Sequence, residues 1–104
     1  MLTIFEGTVK PKAGSKIDRL LPSRLTKVRA LLISCPSAVE LSLSIDGQTI
    51  MQRVEFARTG ADGEHGPKNG LHELSFNIGK GRLTGMVRSK SGASQAVKIF
   101  ILAE

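Results

Sequence analysis

Residues 38–50 of the chain read AVELSLSIDGQTI, and this stretch decides the fold. Apolar and polar residues alternate strictly over residues 39–45, which places one apolar row on one side of an extended strand. An Asp-Gly pair at residues 46–47 follows at once, and it is the strongest short signal for a hairpin turn because glycine adopts positive φ at little cost. The returning segment, residues 48–57, keeps apolar residues on its inner parity except where Gln52 interrupts them: Ile50, Val54 and Phe56.

Short segments of this kind, separated by turn signals, recur along the chain, and no segment has the apolar period of an amphipathic helix. This pattern predicts an antiparallel β-sandwich or barrel in a single domain covering residues 1–104. Residues 10–24 mix proline, glycine and bases without a sustained period, so we predict a basic loop or arm there, with one helical turn at residues 17–21. The predicted strands number seven: residues 1–9, 25–34, 38–45, 48–57, 71–78, 82–89 and 96–103.

Two of these segments are apolar on both faces. The run Leu31 to Ile33 is continuous, and the last segment has Val97, Ile99 and Ile101 on one face but Phe100 and Leu102 on the other. A strand that is apolar on both faces lies between two layers or takes part in a subunit contact. The predicted interface residues are therefore Leu31, Ile33, Phe100 and Leu102.

Composition narrows the classes of protein that this chain can belong to. No stretch approaches the roughly 18 apolar residues of a membrane-spanning helix, so we predict no membrane span. The first ten residues, MLTIFEGTVK, lack the pattern of a signal peptide, which predicts that the protein is not secreted by that route. The single cysteine, Cys35, ends an apolar run before a proline and is predicted to be a buried structural thiol.

The net charge of +6 is distributed unevenly. Residues 10–29 contain seven bases and a single acid, Asp18, whereas residues 40–73 are rich in acids. A basic segment of this kind can contact phosphates or an acidic partner protein. The candidate contact residues are Lys10, Lys12, Lys16, Arg19, Arg24, Lys27 and Arg29.

The stretch TGADGEHGPKNG, residues 59–70, concentrates potential ligands in a glycine-rich segment. Asp62, Glu64 and His65 do not fit a calcium loop, and zinc would require a fuller set of Cys and His ligands. We predict no metal site and no cofactor here, only a long hairpin-type connection. His72 shares parity with the apolar residues that follow and is predicted to be a hydrogen-bonded histidine at the edge of the core.

Other catalytic or ligand-binding motifs are weak. The sequence GKGR, residues 79–82, fits neither phosphate-loop pattern and predicts a basic hairpin turn. No set of serine, histidine and acid stands out, so we predict that the protein is not an enzyme. The chain has no Trp or Tyr and only four Phe. It therefore lacks the stacking platform of a single-strand binder, and aromatic sugar platforms are disfavoured for the same reason.

From residue 28 to the end, the chain resembles the small jelly-roll-type structural proteins of bacteriophage particles, such as penton and spike-base subunits. The resemblance rests on the order of VRALLIS, VELSLSIDGQTI, GLHELSFNI, GRLTGMVRS and AVKIFILAE. It implies a jelly-roll-like β-sandwich of about seven to eight strands. It also implies a virion protein that assembles with copies of itself and with other virion proteins, and that has no catalytic residues. The alternative is a small basic β-barrel that binds nucleic acid through the residue 10–29 segment.

Overall fold

A computed structural model of the protein describes residues 2–56 and 71–104. The described residues form eight antiparallel strands and no helix, so the predicted all-β sandwich is confirmed. None of them forms a helix long and apolar enough to cross a membrane. The strands are β1 (Leu2–Val9), β2 (Ser15–Leu20), β3 (Lys27–Ser34), β4 (Val39–Ile45), β5 (Gln48–Phe56), β6 (Leu71–Asn77), β7 (Arg82–Ser89) and β8 (Gln95–Ala103).

The strands make two four-stranded sheets. Sheet A has the order β1-β8-β3-β6, and sheet B has the order β2-β7-β4-β5. Of the consecutive strands, only β4 and β5 lie in the same sheet, so the chain repeatedly passes from one layer to the other. The predicted hairpin turn at residues 79–82 is therefore wrong, because it links β6 of sheet A to β7 of sheet B. For the same reason β5 and β6 are not a hairpin, although turn residues correctly signal where strands end.

The prediction of a loop or arm over residues 10–24 is also wrong in its middle part. Residues 15–20 form β2, which pairs with β7 from the Ser15–Val87 pair to the Leu20–Arg82 pair. Only Ile17 on this strand is buried, at 3% exposure. β2 is an edge strand that covers little of the core, so it needs few apolar residues and its alternation is weak.

The predicted hairpin of β4 and β5 is confirmed. Asp46 and Gly47 have φ values of 52° and 82°, the positive values that a type I′ turn requires at both central positions. β5 also contains a bulge, where Arg53 has a φ of 52° and its N–H donates to the Ser42 hydroxyl at 2.9 Å. This irregularity brings Met51 into the core, whereas the sequence predicted Ile50 on the inner parity.

The core lies between the sheets and is built from the inward rows of the central strands. The interface prediction is corrected for Leu31 and Ile33, which are 1% and 2% exposed and belong to this core. Cys35 is buried as predicted. Besides Leu31 and Ile33, the buried apolar residues of the central strands include Val28, Val39, Leu41, Leu43, Ile45, Leu83, Val87, Val97, Ile99 and Ile101.

Polar contacts join the two sheets at opposite ends of the sandwich. At one end the carboxylate of Asp46 accepts the N–H groups of Gly79 and Arg82, both at 2.9 Å. The bond from the Arg82 N–H is the largest of the effects that lower the pKa of Asp46. At the other end the buried Gln95 amide donates to the Ser89 hydroxyl at 2.8 Å and to the Ala38 carbonyl at 3.2 Å.

Candidate interaction surfaces

The residues that suggested metal or proton chemistry are not gathered into a site in the described part of the chain. Asp62, Glu64 and His65 lie outside the described residues. His72 is half-buried at the edge of the core, as predicted, and its ring meets that of Phe56 edge-on, with centroids 5.8 Å apart. Within residues 2–56 and 71–104, no three His, Cys, Asp or Glu side chains come together as a metal site.

The seven bases predicted to contact phosphate or protein are spread over several surfaces. Lys10 and Lys12 follow β1 at one end of the sandwich, and Arg24 and Lys27 lie at the end where β3 begins. Lys16 lies on β2 opposite Met86, so it belongs to the outer face of sheet B. The segment therefore does not form one continuous basic stripe.

The two remaining bases of this set have partners within the chain. Arg19 lies at the side of the sandwich, where the edge strands β1 and β2 border an open groove of about 490 Å³. Its guanidinium donates to the Thr3 carbonyl at 2.9 Å. An arginine here occupies an acceptor at the edge of sheet A, which is one way in which proteins block edge-to-edge pairing. Arg29 forms an ion pair with Glu104 on the outer face of sheet A.

The outer face of sheet A carries an apolar stripe, defined here as Ala30, Leu32, Phe100 and Leu102. Cross-strand pairing joins these residues two by two, Leu32 with Phe100 and Ala30 with Leu102. Leu102 is 38% exposed, Leu32 and Phe100 are half-buried, and the small Ala30 is buried between its neighbours at 5% exposure. Two of the four predicted interface residues, Phe100 and Leu102, thus lie on an outer surface of the described structure.

Charged pairs flank the apolar stripe at both ends. The Lys98 ammonium lies 3.3 Å from the Glu6 carboxylate at one end, and the Arg29 guanidinium lies 2.6 Å from the Glu104 carboxylate at the other. Burial alternates regularly along β8, so Lys98, Phe100 and Leu102 share the outer face, and Glu104 continues this row. The outward row of β8 is therefore a cation, two apolar residues and an anion.

The outer face of sheet B has a different character, with polar and charged side chains on all four strands. Glu40 is the centre of a charge cluster, because its carboxylate lies 3.4 Å from Arg53 Nε and 3.8 Å from Lys90 Nζ. Arg88 is the cross-strand partner of Glu40. Glu55 on β5 is the other cross-strand partner of Glu40, so three bases lie beside two carboxylates in this cluster.

Lys16 extends this positive region onto β2, since Lys16, Met86 and Ser42 form one row across three strands. Glu40, Ser42, Arg53, Met86 and Arg88 line a shallow groove of about 330 Å³. The sequence-based prediction missed Arg53, Arg88 and Lys90 as members of this charged face. The alternation of β7 gives the face of Arg88, but the pairing of β2 with β7 was needed to place Lys16 on the same face.

The chain matches no known family of proteins and no curated protein.

Proposed function

We propose that this protein is a structural subunit that acts by packing against copies of itself and against other proteins, as a capsid, penton, spike-base or decoration component of a bacteriophage virion. The observation that carries the proposal is the apolar stripe on the outer face of sheet A. The virion setting follows from the resemblance of the sequence to small phage structural proteins. The protein then acts through the shape and contacts of its surface, and this role does not require the reacting groups of an enzyme.

The position of the stripe supports a contact surface. Single exposed apolar residues are common on protein surfaces and need no explanation. Here, however, Leu32, Phe100 and Leu102 are neighbours on β3 and β8, the two central strands of the sheet. An antiparallel sheet with one solvated face normally alternates apolar inside and polar outside. Contiguous apolar side chains on the outside are typical of a surface that another protein covers.

The strand order supports the jelly-roll expectation. A jelly roll is a two-sheet arrangement of eight strands in which the chain crosses between the layers. Two four-stranded sheets with the orders 1-8-3-6 and 2-7-4-5 fit that description. Two packed layers of this kind present two broad outer faces, which suits a subunit of a shell.

Self-association tests the proposal. Sedimentation velocity over a range of protein concentrations is expected to show reversible oligomers, and Leu102→Glu is expected to weaken association by about tenfold or more, because it places a charge in a desolvated contact. Thr84→Glu, on the exposed outer face of sheet B, is the matched control and is expected to leave association unchanged. A strict monomer at every concentration, together with absence of the protein from purified particles, contradicts the proposal.

The second candidate function is nucleic-acid binding, and the basic region around Lys16, Arg53, Arg88 and Lys90 is the observation that favours it. Binding through phosphates predicts affinity for an oligonucleotide that falls steeply with salt. Fluorescence anisotropy at low and high salt would measure this for the native chain and for two variants. One variant has Ala in place of Arg53, Arg88 and Lys90. The other has Ala in place of Lys10 and Lys12. No binding at low salt rules this function out.

A further inference from the structure

We propose that two copies of the chain pack through the outer faces of sheet A, around a two-fold axis that lies in the interface plane and crosses the strands. This inference rests on the proposed function, since it names the partner of the apolar stripe as a second copy. It commits to one geometry, in which β8 of one copy lies over β8 of the other in the opposite direction. A two-fold interface must be self-complementary, so each residue of the face needs a suitable partner in the same face.

The outward row of β8 meets this requirement. Reversal about the proposed axis exchanges the two ends of the row, so that Lys98 lies over Glu104 of the second copy and Phe100 lies over Leu102 of the second copy. Each end then brings opposite charges together, while the centre buries apolar side chains on both sides. A parallel arrangement of the same two strands would place Lys98 over Lys98 and Glu104 over Glu104, which like-charge repulsion disfavours.

β3 matches in size under the same reversal. Leu32 lies at the level of Phe100, and Ala30 lies at the level of Leu102. The proposed axis therefore places Leu32 over Ala30 of the second copy, a large side chain over a small one, twice in the interface. Alternation of large and small residues allows facing sheets to interdigitate at the usual spacing of about 10 Å.

The outer face of sheet B is a poorer partner for the stripe. Its central strands present Glu40, Ser42 and Arg88 outward, with Met86 as the apolar side chain among them. Covering Leu32, Phe100 and Leu102 with that face would desolvate charges that gain no partner. The molecule measures 37 × 29 × 19 Å, and its broad face has room for the roughly 800 Å² that each partner buries in a standard interface.

The ion pairs within each copy determine whether the charged residues of the interface can be substituted without loss of the fold. Lys98 has Glu6 as its neighbour and Glu104 has Arg29, both at exposed positions. Exposed pairs contribute little to the stability of a monomer. Reversing the charge of Lys98 or Glu104 is therefore expected to leave the fold intact, which thermal unfolding of each variant at low concentration would verify.

The decisive experiment mixes two single variants, Lys98→Glu and Glu104→Lys. In a homodimer of either variant both charged contacts join like charges, and each variant alone is expected to self-associate at least about tenfold more weakly than the native protein. In the mixture, Glu at position 98 of one copy faces Lys at position 104 of the other, and the second contact keeps the native Lys98 and Glu104. A 1:1 heterodimer is therefore expected, measured by sedimentation and by native mass spectrometry.

The mixture contains its own matched control. In each chain the substituted residue has the same unchanged neighbour, Glu6 or Arg29, whether or not the other variant is present. Recovered association in the mixture consequently reports contacts between the copies. Native self-association without recovery in the mixture overturns this geometry and leaves the proposed function standing. A native protein that is strictly monomeric overturns this geometry, and it overturns the proposed function as well when the protein is also absent from purified particles. If either reversal fails to fold, Lys98→Gln and Glu104→Gln replace it, and association that is unchanged in both also overturns the geometry.

Discussion

The outer faces of the two sheets differ in chemistry although the strands beneath them are built alike. In sheet A the two central strands place Leu32, Phe100 and Leu102 outward, and the charges lie at the ends of that row. In sheet B the central strands place the charged pair Glu40 and Arg88 outward near one end, and Ser42 lies outward at the middle of β4. Water solvates the second arrangement well, whereas the first leaves contiguous apolar surface exposed.

This difference separates the requirements of the fold from those of assembly. Both sheets pack equivalent inward rows against the same core, so the fold needs no apolar residues outside. β4 meets the minimal requirement, since it alternates strictly between buried and half-buried positions. β8 exceeds it, because it also carries apolar side chains on the solvent side. We attribute that excess to contact with another protein.

The largest expected effect comes from comparing adjacent residues of β8. Ile101 is 1% exposed in the core, and Ile101→Ala is expected to lower the free energy of unfolding by about 2–5 kcal/mol through lost burial and a cavity. Leu102→Ala, one position along, is expected to change the stability of the monomer by about 0.5 kcal/mol or less. Denaturant unfolding at low protein concentration measures both. Equal losses would mean that the stripe serves the fold, and would remove the distinction between the faces.

A smaller effect is expected at Asp46, whose carboxylate joins the turn between β4 and β5 to the segment that leads into β7. Asp46→Asn keeps a side chain that tolerates the φ of 52° and removes the charge that accepts the Gly79 and Arg82 N–H groups. Because hydrogen bonding lowers the pKa of Asp46, the native carboxylate stabilises the fold at pH values above the unfolded pKa of about 3.9, and this contribution is lost as the pH falls through the folded pKa.

The Asp46→Asn variant should accordingly have a lower Tm than the native protein at pH 7, and the difference should shrink as the pH falls below about 4. Thermal scans at several pH values measure this dependence. The association constant should not change, because Asp46 lies on neither outer face. A difference in Tm that stays constant across the pH range would show that the charge of Asp46 is not the source of the effect.

The smallest expected effect concerns an ion pair on the solvated face. Asp18 and Arg82 form a pair at 2.9 Å on the outer side of sheet B, and both side chains are more than half exposed. Asp18→Asn is expected to change the free energy of unfolding by about 0.5 kcal/mol or less, because salt and water screen such pairs. Chemical denaturation at low and high salt checks this. A loss above about 1 kcal/mol would show that this face has a structural role that its exposure does not indicate.

The success of sequence-based prediction depended on where each strand lies in the sandwich. β4 and its hairpin with β5 were predicted correctly, because a central strand must bury one face and a two-residue turn needs particular residues. β2 was missed, because an edge strand with Ile17 as its one buried residue leaves almost no periodic signal. The bulge at Arg53 was visible only as the interruption at Gln52, since a change of register depends on the partner strand.

The surface residues were also predicted correctly only in part. Phe100 and Leu102 were identified from the excess of apolar residues on β8, and they lie on the outer face. Leu31 and Ile33 were identified by the same argument and are core residues, because a bulge in β3 changes which positions face inward. The grouping of Lys16 with Arg88 required the pairing of β2 with β7, which joins segments about 70 residues apart in the chain.

By itself the sequence determined the fold class, most strand positions, the turn at Asp46 and the presence of surplus apolar residues, because these depend on local backbone preferences and on the period of two in a strand. Only the tertiary structure decided which strands are neighbours, which sheet each one joins and which apolar face is covered. Those outcomes depend on contacts between distant segments, and burial is a property of the whole sandwich rather than of any one strand.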